Sequence, residues 1–190
     1  MGFFVGLIFM AAATNSFSPG RNLRMRIAQE GDVDSIVRLI NAAFVVERIA
    51  FDGDRIDARG VRELLKKGAF LLAEHAAGPP VRADRMDPRV GLAGCVYVEV
   101  VGERSYLGLL CVDPGRQGTG LGRRLVSAAE EYSHKAGCCA MDLRIISPRA
   151  EGLVPFYEHL GYTHTGTAPF SPDVKTKVPC HYITMAKPLT

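Results

Sequence analysis

No apolar stretch in this chain is long enough to span a bilayer. No two cysteines stand at Cys-x-x-Cys spacing, and neither sign of charge is in large excess. A spanning helix needs about 20 apolar residues, and the strongly apolar stretch Met1 to Ala13 falls short of that. It resembles the core of a signal peptide ending in small residues, but no Lys or Arg precedes it. Gly2 lacks the downstream Ser or Thr that myristoylation requires. The polar stretch Asn15 to Asn22, with Pro19-Gly20, reads as linker. Residues 1–22 are therefore expected to be an apolar and flexible extension, with a translation start at Met25 as the companion expectation; a cleaved leader is the competing reading.

The cysteine count is odd, five, with no metal-ligand spacing, which excludes a disulfide framework and points to a reducing compartment. Several of these cysteines, Cys95 and Cys111 among them, sit in strand-like apolar runs and read as small buried hydrophobes. No motif supports a cysteine nucleophile. A net charge of +3 gives no argument for nucleic acid. Neither repeats nor low-complexity tracts are present, so solenoids drop out. What remains, at 190 residues, suits one domain over 23–190 with a sizeable core.

The most informative stretch is Leu107 to Ala136, LGLLCVDPGRQGTGLGRRLVSAAEEYSHKA. Leu107 to Val112 is short and apolar, as a buried strand is, and Asp113-Pro114-Gly115 breaks it. Glycines follow at alternate positions, Gly118, Gly120 and Gly122. Leu121, Leu125, Ala128, Ala129, Tyr132 and Ala136 then fall at helical spacing, and Gly137 supplies the stop. Strand, glycine loop and helix together make an anion site, because a helix start offers free N–H donors and glycine lets a ligand approach closely. A P-loop would need Lys-Ser/Thr after the glycines, which is missing. A Rossmann loop needs G-x-G-x-x-G in the first βαβ unit; here the spacing is G-x-G-x-G past mid-chain. Asp142 lies at about the Rossmann distance downstream but is flanked by Met141, Leu143, Ile145 and Ile146, so it reads as mid-strand. Arg116, Arg123 and Arg124 read either as a solvated helix face or as help for a polyanionic ligand, Arg123 first because it follows the glycines.

Gln117-Gly118-Thr119-Gly120-Leu121-Gly122 resembles the Q/R-x-x-G-x-G/A signature of the GNAT acetyltransferase superfamily. Phe156-Tyr157-Glu158-His159-Leu160-Gly161-Tyr162 resembles a second, later segment of the same family. The resemblance covers roughly Met25 to Leu189. It implies the GNAT fold, an α/β (α+β) arrangement of about seven strands in a mixed sheet flanked by about four helices.

The residues read in order agree with it. Leu23 to Ala28 is a strand. Asp32 caps a helix facing inward through Val33, Ile36, Val37, Ile40, Ala43 and Phe44. Glu47 to Asp57 is loop, Val61 to Lys67 a helix closed by Gly68, and Ala69 to Glu74 a strand. Gly78 to Arg89, with three prolines, is a turn or long loop. Gly91 to Val100 alternates as a strand, with Leu92, Val96, Val98 and Val100 on one face and Ala93, Cys95, Tyr97 and Glu99 on the other. Gly102 makes a hairpin. After the loop helix, Cys138 to Ile146 is a strand. Pro155 fits only a first helical turn, so the next helix is expected to be short, Leu153 to His159. Gly161 ends that helix, Tyr162 to Gly166 is a strand, Phe170 to Pro179 is loop, and His181 to Met185 closes the sheet.

The resemblance also implies roles. Acetyl-CoA is the co-substrate, and no metal takes part. Backbone groups of Gln117, Gly118, Thr119, Gly120, Leu121 and Gly122 hold its pyrophosphate, with Arg123 and Phe156 beside them. Leu110, Cys111 and Val112 hold the pantetheine arm and polarise the thioester carbonyl. Tyr157 is the acid for the departing thiolate; its alternative is a core tyrosine. A base is expected among Glu99, Tyr97 and His181, or is replaced by water. Relatives carry an Asn before the tyrosine helix where this chain has Ser147-Pro148-Arg149-Ala150, so that contact is either lost or taken by Arg149. Phe51, Asp52, Asp54 and Tyr97 are the candidate acceptor wall, the two carboxylates suiting a cationic amine or serving only as turn and capping residues around Gly53. The acceptor is then a small-molecule amine, with a protein lysine or N-terminus, or a non-catalytic CoA-sensing module, as alternatives. Neither nucleic acid nor membrane is an expected partner, homodimerisation stays open, and the expected location is cytoplasmic.

Overall fold

The computed structural model describes residues 23–75, 91–170 and 175–190. The expected extension and linker over 1–22, the proline-rich loop over 78–89 and part of the loop after Phe170 lie outside these residues. Seven strands form one sheet: β1 (Leu23–Ile27), β2 (Ala69–His75), β3 (Leu92–Val101), β4 (Arg104–Val112), β5 (Ala140–Ile146), β6 (Thr163–Pro169) and β7 (His181–Pro188). Their order is β1-β2-β3-β4-β5-β7-β6. Every neighbouring pair is antiparallel except β4 with β5. Four helices complete the fold: α1 (Val33–Ala43), α2 (Ala58–Leu65), α3 (Leu121–Lys135) and α4 (Ala150–Glu158). This is the mixed seven-strand, four-helix arrangement expected from the sequence.

The helices divide between the two faces. On one, Val33, Ile36, Leu39 and Ile40 of α1 and Val61 of α2 pack on Phe70, Leu72, Cys95 and Tyr97. On the other, Leu121, Leu125, Val126 and Ala129 of α3 and Tyr157 of α4 pack on Val96, Val98, Leu107, Met141, Leu143 and Met185. Each large aliphatic side chain so buried contributes roughly 1.5–3 kcal/mol. The first cluster takes no buried residue from β5, β6 or β7. On that face, the second half of the sheet is left largely to polar and aromatic side chains.

Local charges fix the edge. Arg26 of β1 donates to both carboxylate oxygens of Asp32, at 2.6 and 2.7 Å, and to Glu74 of β2 at 2.8 Å. Asp32 also accepts from the Gln29 amide at 2.8 Å. The Arg26 guanidinium therefore holds the Asp32 carboxyl below the usual carboxylate range. Asp32 does not donate its side chain to capping α1, as the sequence suggested; the guanidinium competes for it. Asp57 does cap α2, accepting from the Gly60 amide at 2.7 Å.

Three other expectations are corrected. The segment from Glu47 begins inside a 3-10 helix, Phe44–Ile49, that continues α1 before the loop starts. On β3, Leu92 packs with Cys95 and Tyr97 and Ala93 with Val96 and Val98, the reverse of strict alternation. The cause is a bulge: Ala73 pairs with Gly94 but Glu74 with Leu92, so one residue is skipped and the faces exchange. Helix α4 starts at Ala150 and holds Pro155 in its interior. The carbonyl that Pro155 leaves without a donor is that of Glu151, in the exposed first turn, where water can serve it.

Cys95 and Cys111 face each other across β3 and β4 with sulfurs 3.2 Å apart, both buried. The neighbouring sulfur and then burial push the Cys95 thiol well up, so it stays protonated and inert.

Gly68 closes α2 hard against β3, where a Cβ would collide with the Val98 carbonyl oxygen and stand 2.8 Å from the Tyr97 hydroxyl. Gly68→Ala should lower stability by about 1–3 kcal/mol in urea unfolding, because rigid backbone must shift to admit one methyl.

Candidate active site

The site begins where two strands part. Parallel pairing of β4 with β5 runs from Arg104↔Ala140 to Leu107↔Leu143 and stops, although β4 continues to Val112 and β5 to Ile146. The sequence of β4 causes this. Tyr97 pairs with Gly108 and Cys95 with Cys111, so β4 spends three steps where β3 spends two. The extra residue is accommodated at Leu109, which adopts φ +47°, a left-handed conformation rare for a residue with a side chain. Such a residue costs on the order of 1–3 kcal/mol and persists only where its surroundings hold it. The bulge turns the end of β4, Leu110 to Val112, away from β5 and leaves its peptide groups beside an open cleft.

At the mouth of that cleft lies the glycine loop. Gly118 (φ +77°) and Gly120 (φ +80°) take left-handed conformations, and a Cβ on either would meet nothing. The loop is therefore glycine for its backbone path and for access, not for packing. Gly120 is the N-cap of α3, and no side chain caps that helix. Its first-turn N–H groups face outward together with the positive end of the helix dipole. Thr119 is turned back, its hydroxyl donating to the Arg116 carbonyl at 2.7 Å. Asp113 steadies the approach by accepting from the Gly115 amide at 2.9 Å, while its own amide donates to the Ala93 carbonyl.

Phe156 and Tyr157 of α4 close the other side. A Cβ on Gly122 would stand 3.6 Å from the Phe156 ring and 3.9 Å from Val112, so loop, strand end and α4 converge. Tyr157 is buried at 6 % exposure between Phe156 and Tyr162, with ring centroids 5.0 and 5.6 Å away. Burial, and to a smaller degree Tyr106, push its hydroxyl well above the ordinary phenol range, so it holds its proton at every physiological pH.

Across the cleft lies a cavity of about 230 Å³ lined by Phe44, Glu47, Phe51–Arg55, Ile146, Phe170 and Tyr182. Its walls are aromatic: Phe51 meets Phe170 edge-on at 5.6 Å, and Phe170 lies 4.0 Å from Tyr182. Arg55 stands over Phe44 at 5.6 Å and Arg144 over Tyr182 at 5.7 Å. Lys177 latches the far wall, with its amide on the Ala50 carbonyl at 2.9 Å and its ammonium 3.0 Å from the Arg48 carbonyl and 2.6 Å from Asp52. Ile146 ends β5, so the cavity abuts the cleft.

The expected acceptor residues fare unequally. Phe51, Asp52 and Asp54 line the cavity, but Asp52 is tied to Lys177 and Asp54 lies 3.5 Å from Arg48, both carboxylates largely exposed. Tyr97 stands apart. It is 2 % exposed in the α1–α2 cluster, and its hydroxyl donates to Glu99 at 3.0 Å and to the Leu64 carbonyl at 3.3 Å. Burial and then Glu99 raise its hydroxyl, so it belongs to the core and not to the acceptor wall. Glu99 lines a second, shallower groove of about 530 Å³ with Tyr106, Arg104, Asp142 and Arg144. His181 lines neither cavity; its neighbour Tyr182 does, and alternation sends the two side chains to opposite faces. Arg149 is half-buried and bears on Glu47, on the acceptor side of the cleft. Asp142 is held by Arg104, which donates to both its oxygens, so the ribose role a Rossmann reading would give it is already taken.

Sequence reasoning missed Glu47, Phe44, Phe170, Tyr182 and Tyr106. Glu47 sat in an unremarkable loop, and the aromatics come together only through tertiary folding. Tyr106 is half-buried, its ring lying against Gly108, where a Cβ would stand 2.9 Å from it. It feels Arg144, Tyr182, Arg55 and Glu99, and it acts in turn on Tyr157. It lines the second groove, where β4 and β5 are still paired.

Known proteins share this fold. The family model described as "Acetyltransferase (GNAT) domain" matches residues 83–179. A curated relative, mycothiol acetyltransferase of Propionibacterium freudenreichii subsp. shermanii, is 28 % identical over 160 residues, which cover 79 % of this chain and 47 % of that protein. The chain thus spans about half the length of the curated relative it matches. Among solved structures, Ard1 of Thermoplasma volcanium superposes with a TM-score of 0.68 at 14 % identity, covering 90 % of this chain and 99 % of that one. The ribosomal-protein-S18-alanine N-acetyltransferase of Escherichia coli gives 0.62 at 17 % identity, covering 88 % and 94 %. Salmonella typhimurium yncA, solved with its cofactor acetyl-CoA, gives 0.64 at 20 % identity, covering 90 % and 95 %. At these identities the structural likeness concerns the fold. Among the described residues, no helix is long and apolar enough to cross a membrane.

Burial raises the Glu47 carboxyl above its ordinary range, against the opposing pull of Arg55 and Arg149. A raised folded-state value means that the folded protein binds this proton more tightly than the unfolded chain does. The stability it supplies is present at low pH and is lost as pH rises through the folded value. Glu47→Gln should therefore raise the melting temperature at pH 8 and leave it nearly unchanged at pH 4, as followed by circular dichroism.

Proposed function

Because the chain belongs to the GNAT acetyltransferase family, we propose that it transfers an acetyl group from acetyl-CoA to the primary amine of a small molecule by direct attack. The observation that carries this reading is the parting of β4 and β5, with a glycine loop suited to an anion at one side and a half-open, carboxylate-bearing cavity at the other. Acetyl-CoA supplies the activated acyl group as a thioester. The protein supplies position and protons.

The residues fit that co-substrate. The uncapped first turn of α3 and the open Gly118–Gly120 path suit a pyrophosphate, with Arg123 exposed beside them. The peptide groups of Leu110 to Val112, past the last β4–β5 pair, suit an extended pantetheine arm held as an added strand would be. An N–H there polarises the thioester carbonyl as charge develops on its oxygen. Tyr157 protonates the departing sulfur. A thiol near pKa 8.5 leaves readily at neutral pH, so this acid has only part of the barrier to remove.

The cavity's size supports a compact acceptor. At about 230 Å³ it is smaller than the roughly 300–1,000 Å³ of sites for drug-sized ligands. The second groove, open along the sheet and lined by Glu99, Arg104, Asp142 and Arg144, favours the alternative of an extended acceptor such as a protein N-terminus or lysine.

Calorimetry on the full chain should give 1:1 binding of acetyl-CoA; no binding would remove both the enzyme reading and that of a CoA sensor. A panel of small amines and short peptides, read by release of free CoA, should show turnover with the amines. Turnover with peptides alone would favour the groove, and binding without turnover would favour a sensor. Tyr157→Phe should lower turnover at saturating substrates by about 10²-fold, within the range typical of a positioned acid, and leave acetyl-CoA affinity unchanged; full turnover in this variant would remove the tyrosine from the chemistry.

A further inference from the structure

We propose that Arg144 and Thr184, at the end of the second groove nearest the cavity, form a carboxylate subsite, and that the acceptor is an amine carrying a carboxylate of its own, as an amino acid does. This rests on the acetyl-transfer reading above and gives its acceptor a chemical class.

Strand register builds the subsite. Arg144 of β5 and Thr184 of β7 are direct cross-strand partners, so their side chains stand side by side on one face, with Cβ atoms roughly 5 Å apart. On β4, Tyr106 pairs with Asp142, two residues before Arg144, so it stands diagonally across from Arg144 on the same face. All three residues line the groove of about 530 Å³.

In this groove the carboxylates are engaged and the donors are free. Arg104 donates to both oxygens of Asp142. Glu99 accepts from the Tyr97 hydroxyl at 3.0 Å and lies on β3, with Tyr106 of β4 between it and β5. Arg144, by contrast, has neither an ion pair nor a hydrogen bond among the described residues. Thr184 accepts from Thr165 at 3.0 Å and keeps its own proton to give. The Tyr106 hydroxyl also has no partner among the described residues. A guanidinium and two hydroxyls therefore face one space with nothing to donate to. Arg144 lies over the Tyr182 ring, 5.7 Å from its centroid, a contact that uses the face of the guanidinium and leaves its edge N–H groups available. That planar fork matches the two oxygens of a carboxylate.

Position ties the subsite to the reaction. Tyr182 lines the aromatic cavity, while Arg144, over its ring, lines the groove, so the two spaces meet at this stacked pair. Ile146 also lines the cavity and follows Arg144 on the same strand face, about 7 Å further along. A compact amino acid spans that step, with its amine toward the cavity and its carboxylate on the Arg144 fork. A simple amine leaves Arg144 and Thr184 unserved. A protein N-terminus brings a neutral peptide group to the same place and forgoes the charge-assisted bonds.

The test uses the full chain and calorimetry without acetyl-CoA. Glycine, β-alanine and phenylalanine are each measured beside the amine that lacks the carboxylate (methylamine, ethylamine and phenethylamine) and beside the primary amide. At least one amino acid should bind about ten-fold or more tighter than both its analogues. Arg144→Gln should remove that preference and Thr184→Val should weaken it. Arg144→Lys should keep part of it, because an ammonium retains the charge without the fork. Acetyl-CoA affinity at the parent's value reports that each variant is folded. With an amino acid that turns over, Arg144→Gln should raise KM about ten-fold with kcat little changed, the mark of lost uniform binding. Equal or absent binding of amino acid, amine and amide across the panel overturns the proposal, as does an Arg144→Gln protein with the parent's preference. Binding of 3-phenylpropionate that fails to compete with phenylalanine also overturns it, since the groove would then hold a separate anion. Loss of acetyl-CoA binding by the parent protein would instead strike the acetyl-transfer reading, and the amino-acid comparison would still judge Arg144.

Discussion

The one-residue excess in β4 is the constraint on which the site depends. If β4 and β5 stayed paired to their ends, the sheet would be continuous and closed, with no slot through its middle. The bulge at Leu109 prevents this by turning the last peptide groups of β4 away from their natural partner. Backbone polar groups removed from a sheet must find partners elsewhere. Here they face the cleft, beside the N-terminus of α3 and the Phe156–Tyr157 pair. The strain of one left-handed leucine is borne by a strand that is buried and paired on its other side.

The two faces of the sheet then take different work. The face under α3 and α4 is a dense apolar core that ends at the glycine loop, and it sets the position of Tyr157. The opposite face is covered by α1 and α2 only across its first half. Its second half carries Tyr106, Asp142, Arg144, Tyr182 and Thr184, and the 3-10 helix with its loop folds over one corner to enclose the cavity. The glycine-loop side of the cleft is built from backbone and the cavity side from side chains. The GNAT family identity accordingly fixes the first side more firmly than the second.

Legibility in the sequence followed the same division. The glycine loop, the α3 stripe and the Phe156–Tyr157 segment are contiguous and periodic, so local pattern reveals them. The order of strands and helices was legible for the same reason. Where pattern failed, a non-local term had won. A bulge opposite Ala73 and Glu74 exchanged the faces of Leu92 and Ala93. An exposed first turn tolerated Pro155 inside α4. Arg26 drew Asp32 away from its cap. The acceptor side was least legible, because Glu47, Phe170 and Tyr182 lie far apart in the chain and belong to no motif. Asp52 and Asp54 were picked out for charge in a loop, yet both are engaged at the rim. Tyr97 was picked out for its strand and lies in the core.

Lys177 joins two segments more than a hundred residues apart without entering the sheet or either core cluster. Its three contacts fall on carbonyls at the end of the 3-10 helix and on a surface carboxylate, so the far wall of the cavity is fastened from outside. The wall can therefore be recut, by substitutions in the segments around Phe51 and Phe170, without disturbing the strands beside the glycine loop. A protein of this construction can change its clientele while keeping its chemistry, because the parts that choose and the parts that react share only the edge of a cleft.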